Sequence, residues 1–359
     1  MQTSASSTNA PDADSDSTVA RFDWKWNLSE LEPPKEGAPT VFSCFACGGG
    51  SSMGYKRAGF DVIGNCEIDP RIAKIYEANL HPRHSYVMDL RAFNELEDLP
   101  SELYDLDILD GSPPCSTFSM AGNREDDWGR ARKFAEGQSE QTLDDLFFVF
   151  LETVEKLMPR IVIAENVTGL LRGNARGYVN QIIKRFHDIG YDVQLFKLNS
   201  AFMDVPQVRE RVFFVANRCG YPRIEMRFDC EPIPFGKVRT PNGVDNDSRD
   251  LALAKRYARE SDRAMQDIKM RERGKYSGYL VKIIHDDEVA PTQATRPYIR
   301  FCDCTYMSKG DIVNVSTFPQ DYDFGEDASR SKVAFICGMS VPPNMMAHIA
   351  SEIRRQWLV

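Results

Sequence analysis

Between about residues 39 and 215 short apolar runs alternate with stretches of helical periodicity. The runs fall at 41–45, 61–66, 106–109, 160–164 and 212–215. Apolar runs this short read as strands buried on both faces. The clearest helix is predicted over 143–158, where most positions are apolar and Pro159 ends the pattern. Strands that alternate with helices imply an α/β domain with a mostly parallel sheet.

The texture changes after Arg218. Pro222, Pro232, Pro234 and Pro241 arrive with little periodicity, and a basic helix is predicted over 250–273, before Gly274 and Gly278. This region reads as a smaller, irregular insert or second domain. Helical spacing resumes over 341–358, and no internal repeat is visible. At the other end, residues 1–18 hold Ser, Thr, Ala and Asp with almost nothing to bury, which predicts disorder. Phe22, Trp24, Trp26 and Leu28 are placed to pin the following stretch onto the domain, and 33–37 reads as a linker. No apolar run nears the ~18 residues of a membrane span, and no signal-peptide pattern opens the chain.

Length and charge refine the picture. At 359 residues the prior is about two domains. The formal charge is −9, yet residues 249–275 carry nine bases against five acids. A net-acidic chain can therefore still present a basic face to nucleic acid. The nine cysteines do not form a scaffold: Cys44-x-x-Cys47 and Cys302-x-Cys304 lack partners for a four-ligand metal site. Reduced thiols in a cytoplasmic compartment, with no metal, are the expectation.

Candidate chemistry gathers at predicted strand ends. The segment from Val41 to Gly54 is a strand running into Gly48-Gly49-Gly50 and then a helix, where the backbone can approach a ligand closely. Glu67 ends the next strand, nineteen residues after Gly48, where an acid can accept both hydroxyls of a ribose. Asp89 follows a third strand at 86–88 and is placed to receive an adenine amino group. Neither G-x-G-x-x-G nor a P-loop is present, which weakens dinucleotide and triphosphate readings. S-adenosylmethionine, which has no phosphates, tolerates that absence.

The reactive half starts at Asp107-Ile-Leu-Asp-Gly-Ser-Pro-Pro-Cys115. The cysteine sits just past a buried strand, on the edge where open α/β sheets bind ligands. Pro113 and Pro114 fix φ and present Cys115 as a nucleophile. Glu165 follows the 160–164 run in the same way. Alternation in Gln207-Val-Arg-Glu-Arg211 places Arg209 and Arg211 on one face.

These stretches resemble the cytosine-5 DNA methyltransferase family. The matching segments are Phe45-Ala-Cys-Gly-Gly-Gly, Glu67-Ile-Asp, Asp89-Leu, Ser112-Pro-Pro-Cys, Glu165-Asn-Val, Gln207-x-Arg-x-Arg and Gly338-Met-Ser-Val. They occur in the family's order over about 40–217 and 290–357. The resemblance implies a Rossmann-like S-adenosylmethionine-dependent domain plus a small target-recognition domain. It divides the chain into a tail and linker at 1–37, a catalytic domain at 38–218, the recognition domain at 219–290 and a returning segment at 291–359.

The resemblance also implies roles. Phe45, Ala46, Gly48, Gly49, Gly50, Glu67, Ile68, Asp89, Leu90, Pro114, Ser340 and Val341 would hold the cofactor. Cys115 would add to C6 of a flipped-out cytosine, with Glu165 on N3 and the exocyclic amine, Arg209 against the carbonyl and Arg211 supporting the site. The partner would be double-stranded DNA, met by a cytoplasmic, monomeric enzyme of restriction-modification type from a bacterial or phage-type host. The same chemistry on RNA stays open, as does an inactive DNA-binding regulator. Three positions depart from the family: Cys47 stands where a glycine is usual, Ile68 where a larger residue often stacks on adenine, and Met339 where an asparagine is usual. The polar stretch between Phe118 and Asp144 would be a loop that closes over DNA. In the insert, Lys255, Arg256, Arg259 and Arg263 are candidates for phosphate contacts.

Overall fold

A seven-stranded sheet organises the larger part of the computed structural model, which describes residues 20–114, 146–172, 175–274, 281–294 and 298–358. The polar tail at 1–18, Cys115 and the predicted loop between 118 and 144 lie outside the described residues. In chain order the strands are β1 (Thr40–Cys44), β2 (Asp61–Glu67), β3 (His84–Val87), β4 (Ile108–Gly111), β5 (Ile161–Val167), β6 (Asp192–Asn199), β7 (Gln207–Val208) and β8 (Glu210–Asn217). The main sheet runs β3-β2-β1-β4-β5-β8-β6, with β7 outside it. Strand β8 is antiparallel to both neighbours, and the remaining pairings are parallel. Helices cover both faces, so the central strands are buried on each side and read as continuous apolar runs.

The helices of this part are α1 (Gly50–Arg57), α2 (Pro70–Leu80), α3 (Leu90–Glu95), α4 (Leu146–Leu157) and α5 (Ala175–Asp188). The described part of the predicted 143–158 helix is α4. It stops where Met158 turns left-handed (φ 47°) ahead of Pro159. The insert contributes α6 (Phe235–Val238), α7 (Arg249–Tyr257), α8 (Met265–Arg273), β9 (Ile283–Ile284), β10 (Ala290–Pro291), β11 (Ile299–Arg300) and β12 (Thr305–Tyr306). The chain then returns through α9 (Lys309–Val315), α10 (Arg330–Met339) and α11 (Pro343–Trp357). The apolar stretch Arg330–Trp357 is long enough to cross a membrane by length and composition, but most of it is buried in this core.

Two expectations need correction. The single basic helix over 250–273 is two helices, α7 and α8. Asp262 accepts the Arg259 N–H at 2.8 Å, and Asp267 accepts the N–H groups of Arg263 and Ala264, each at 2.8 Å. Those carboxylates satisfy main-chain donors outside a helix, so the chain turns between the two. The insert's own core also extends past residue 290: Leu251, Ala254, Met265, Ile268 and Ile283 pack with Ile299 and Tyr306.

The N-terminal aromatic stretch is anchored as its composition predicts. Trp26 is buried and donates its indole N–H to the Thr317 carbonyl at 2.8 Å. The Phe22 N–H reaches Asp204 at 3.0 Å, and the Arg57 guanidinium lies 5.1 Å from the Phe22 ring and 4.5 Å from the Trp26 ring. Farther on, Asp321 accepts the N–H groups of Leu28 and Ser29. Residues 22–29 are therefore part of the folded body, not of a linker.

Candidate active site

Strand β1 delivers the chain to a loop that doubles back sharply. Phe45, Cys47 and Gly49 all have positive φ, at 54°, 46° and 77°. Gly48 and Gly50 are small for a different reason. A Cβ on Gly48 would meet the Ile336 side chain at 2.3 Å, and one on Gly50 would meet the Val341 carbonyl at 2.1 Å. The glycines thus let the loop press against the junction of α10 and α11, which brings Ser340 and Val341 beside Phe45, Ala46 and Cys47 around one small pocket. Distant segments of the sequence meet there, in the order the motifs implied.

Cys47 adopts the left-handed conformation that favours glycine. Its N–H donates to Glu67 Oε2 at 2.8 Å. Burial, then the neighbouring Glu67 carboxylate, pushes its thiol up to about 12, so it is a neutral packing group at pH 7. Glu67 ends β2 and is held on both oxygens, the second accepting from the Asp69 N–H at 3.0 Å; burial raises its carboxyl. Ile68 follows it at the rim. Asp89 caps α3 by accepting the Arg91 N–H at 2.9 Å, ahead of the buried Leu90. Glu67 and Asp89 therefore stand just past the ends of adjacent parallel strands, on the same edge as the loop.

The other end of the cleft gathers the charged groups. Asn166 donates to the Pro113 carbonyl at 3.3 Å, which ties the turn after β4 to β5. Pro114 is exposed, and Cys115 follows it beyond the described residues. Antiparallel pairing sets Arg211 opposite Val167, and its Nε lies 2.8 Å from Glu165 Oε1. Arg209 is buried, donates Nη1 to the Gly338 carbonyl at 2.9 Å and has no partner for Nε among the described residues. Burial, then Arg211, lowers its guanidinium to about 9, against the opposing pull of Glu165 and Cys47. Gln207 is fixed by donating to the Val315 carbonyl and accepting from the Gln293 N–H, each at 3.0 Å. The structure thus brings Glu165, Arg209 and Arg211 together, on the same side of the sheet as the loop.

Sequence reasoning passed over Asp110, which is buried in β4 and lines the pocket. Its signal was an acid inside an otherwise apolar strand. In the insert, two of the four candidate cations are already engaged: Lys255 pairs with Asp245 at 2.6 Å, and Arg263 with Glu288 at 2.6 Å. Arg256 lies over the Tyr257 ring at 5.2 Å, and it and Arg259 are exposed.

A mostly parallel α/β sheet with a glycine loop after β1, acids at the ends of β2 and β3, and charged residues on β5 and β8 fits the fold of the S-adenosylmethionine-dependent methyltransferases. The family model described as C-5 cytosine-specific DNA methylase matches residues 40–311, and the chain belongs to that family. Among curated relatives, the type II methyltransferase M.NgoPII of Neisseria gonorrhoeae is 35% identical over 192 residues, covering 53% of this chain and 51% of the relative. The orphan methyltransferase M.SPRI of Bacillus phage SPR is 31% identical over 161 residues, covering 45% and 33%. The match thus spans about half or less of these relatives' length. Among solved structures, a DNA modification methyltransferase encoded within an E. coli prophage superposes with a TM-score of 0.66 at 17% identity, covering 90% of this chain and 100% of that one. The S. pombe Dnmt2 methyltransferase gives 0.58 at 14% identity, covering 88% and 98%. These two likenesses are of fold.

Proposed function

We propose that the protein methylates C5 of a flipped-out cytosine in double-stranded DNA, with S-adenosylmethionine as donor. The observation that carries this reading is the convergence of Glu165, Arg209 and Arg211 beside the glycine loop, with the turn that leads to Cys115 tied to Asn166. The residues present fit the donor: Gly48 and Gly50 let the loop pack closely on the α10–α11 junction, the half-buried Glu67 is fixed on both oxygens beside the loop, and the buried Asp110 carboxylate lines the pocket. Phe45, Ala46, Gly48 to Gly50, Glu67, Ile68, Asp89, Leu90, Pro114, Ser340 and Val341 would hold it. When bound, it supplies an electrophilic methyl group on a sulfonium.

The remaining chemistry belongs to the chain. The Cys115 thiolate forms a bond to C6 of the cytosine, and the electron pair of the C5–C6 double bond becomes available at C5. Glu165 holds N3 and the exocyclic amine, which favours the protonated ring that accepts this attack. Arg209 offers its guanidinium to the carbonyl, and Arg211 keeps the Glu165 carboxylate in place. Once C5 carries the methyl group, for which the donor would leave as a neutral thioether, C5 loses its proton to a base and the returning electron pair expels Cys115. Covalent addition thereby replaces one difficult substitution with easier steps. We take the enzyme to work on DNA as a monomer in the cytoplasm, and the restriction-modification setting follows the type II name of M.NgoPII.

Expression in a host free of cytosine methylation, followed by bisulfite sequencing, tests the proposal. Methylcytosine in a fixed sequence context is expected from the wild type and none from Cys115→Ser. Unmethylated DNA from the wild type would overturn it.

A further inference from the structure

We propose that Asp110 is the counter-charge for the α-ammonium group of the methyl donor, held at the floor of the pocket by hydroxyls from β1 and α1. The inference rests on the reading that S-adenosylmethionine is the cofactor.

Parallel register sets Ser85, Asn65, Ser43 and Asp110 side by side across β3, β2, β1 and β4, so they share one face of the sheet. Ser43 Oγ donates to Asp110 Oδ2 at 2.9 Å, and the Tyr55 hydroxyl donates to Oδ1 at 3.3 Å. Asp110 is only 2% exposed, yet it forms no ion pair with a lysine, arginine or histidine among the described residues. The titratable groups on its face are Tyr55 on α1, Tyr76 on α2 and Glu165 on β5, with Cys44 of β1 on the opposite face of the sheet, none of them a cation. Burial, opposed by the Ser43, Tyr55 and Ser51 hydroxyls and reinforced by Glu165, leaves its carboxyl at about 7.

A buried carboxylate without a cation is costly, and a ligand that brings one relieves the cost. The donor carries a cation at its amino-acid end. Its adenosine belongs at Glu67 and Asp89, past β2 and β3, so the amino-acid end extends along the loop toward β4. There an ammonium, with three N–H donors, meets a carboxylate whose remaining lone pairs are free of other charges. The hydroxyls of Ser43, Tyr55 and Ser51 fix that carboxylate before the ligand arrives.

Calorimetry on the full chain with three probes separates the possibilities. S-adenosylmethionine has both ammonium and sulfonium, S-adenosylhomocysteine keeps only the ammonium, and methylthioadenosine has neither. Asp110→Asn is expected to weaken the first two alike, by about ten- to hundredfold, and to leave methylthioadenosine within about twofold. A loss for S-adenosylmethionine alone would assign Asp110 to the sulfonium and overturn the proposal. Equal effects on all three probes, or none, would overturn it as well.

The wild type gives a second reading that no folding defect can confuse. Pairing with a cation lowers the carboxyl, so binding releases its proton. Titrations in two buffers of different ionisation enthalpy should show about half a proton released at pH 7 and nearly one at pH 6, with none for methylthioadenosine. Tight binding without that release would sink the role of Asp110 alone. A wild type that binds none of the three probes would sink the cofactor assignment first.

Discussion

The cofactor half and the insert treat their charges in opposite ways. In the insert, cations and anions satisfy one another: Lys255 with Asp245, Lys269 with Asp250, Arg271 with Asp262 and Arg263 with Glu288. Among its described residues Arg300 is fully buried and pairs with Asp303 and Asp311, although, like Arg209, it leaves its Nε without a partner. The insert's buried carboxylates, Asp262 and Asp311, each have an arginine, whereas in the cofactor half Asp110 is buried among hydroxyls with no cation paired to it among the described residues. Such groups are expensive to bury, so a fold that retains them leaves room for a ligand to complete them. Of the insert's pairs, those exposed to solvent, Lys255 with Asp245 and Arg263 with Glu288, are each worth about 0–1 kcal/mol. One half buries a carboxylate that lacks a cation; the other pairs its buried carboxylates with arginines of its own.

The sharpest way to break this contrast is Glu165→Gln. The amide keeps the shape of the side chain but not its charge, so it loses the pairing with Arg211 and the hold on a protonated ring. Turnover should fall by about 10²–10⁴-fold, while S-adenosylmethionine binding by calorimetry stays within a few-fold. Equal losses in binding and turnover would mean that Glu165 supports the pocket and not the reaction.

On the insert side, effects should be smaller and salt-dependent. Arg256→Ala and Arg259→Ala should each weaken DNA binding several-fold at low salt, and each should reduce the slope of log affinity against log salt by about 1. Fluorescence anisotropy across a salt series reads this directly. An unchanged slope would remove both from the DNA face. Lys255→Ala, which breaks an exposed pair, should shift stability by less than about 1 kcal/mol in a urea titration.

Cys47→Gly probes the strained turn. The cysteine holds φ at 46°, where a side chain costs roughly 1–2 kcal/mol that glycine avoids. Glycine also frees the unfolded chain, so the net gain should be nearer 1 kcal/mol, visible as a melting temperature a few degrees higher. A lower melting temperature would show that the half-buried thiol's packing outweighs the strain.

How much was legible in the sequence follows the same division. The strands of the sheet's centre announced themselves because a parallel sheet buries both faces, and Glu67, Asp89 and Glu165 stood out as acids after apolar runs. The glycines were legible as a loop but not in their cause: Gly48 and Gly50 are dictated by Ile336 and Val341, nearly 300 residues away in sequence. Asp110 escaped notice because its role depends on Ser43 and Tyr55 from other elements. In the insert, the break between α7 and α8 turns on two aspartates that cap main-chain donors, a local contest that helical periodicity does not register. Lys255 and Arg263 looked free only because their partners, Asp245 and Glu288, lie outside the helices that carry them.

The central claim is a covalent bond between Cys115 and the target base. Duplex DNA carrying 5-fluorocytosine, which cannot lose a proton from C5, should trap the wild-type protein in the presence of S-adenosylmethionine. Peptide mass spectrometry should then place the nucleotide on Cys115, and Cys115→Ala should give no adduct. An adduct on another residue, or one that survives in Cys115→Ala, would contradict the account.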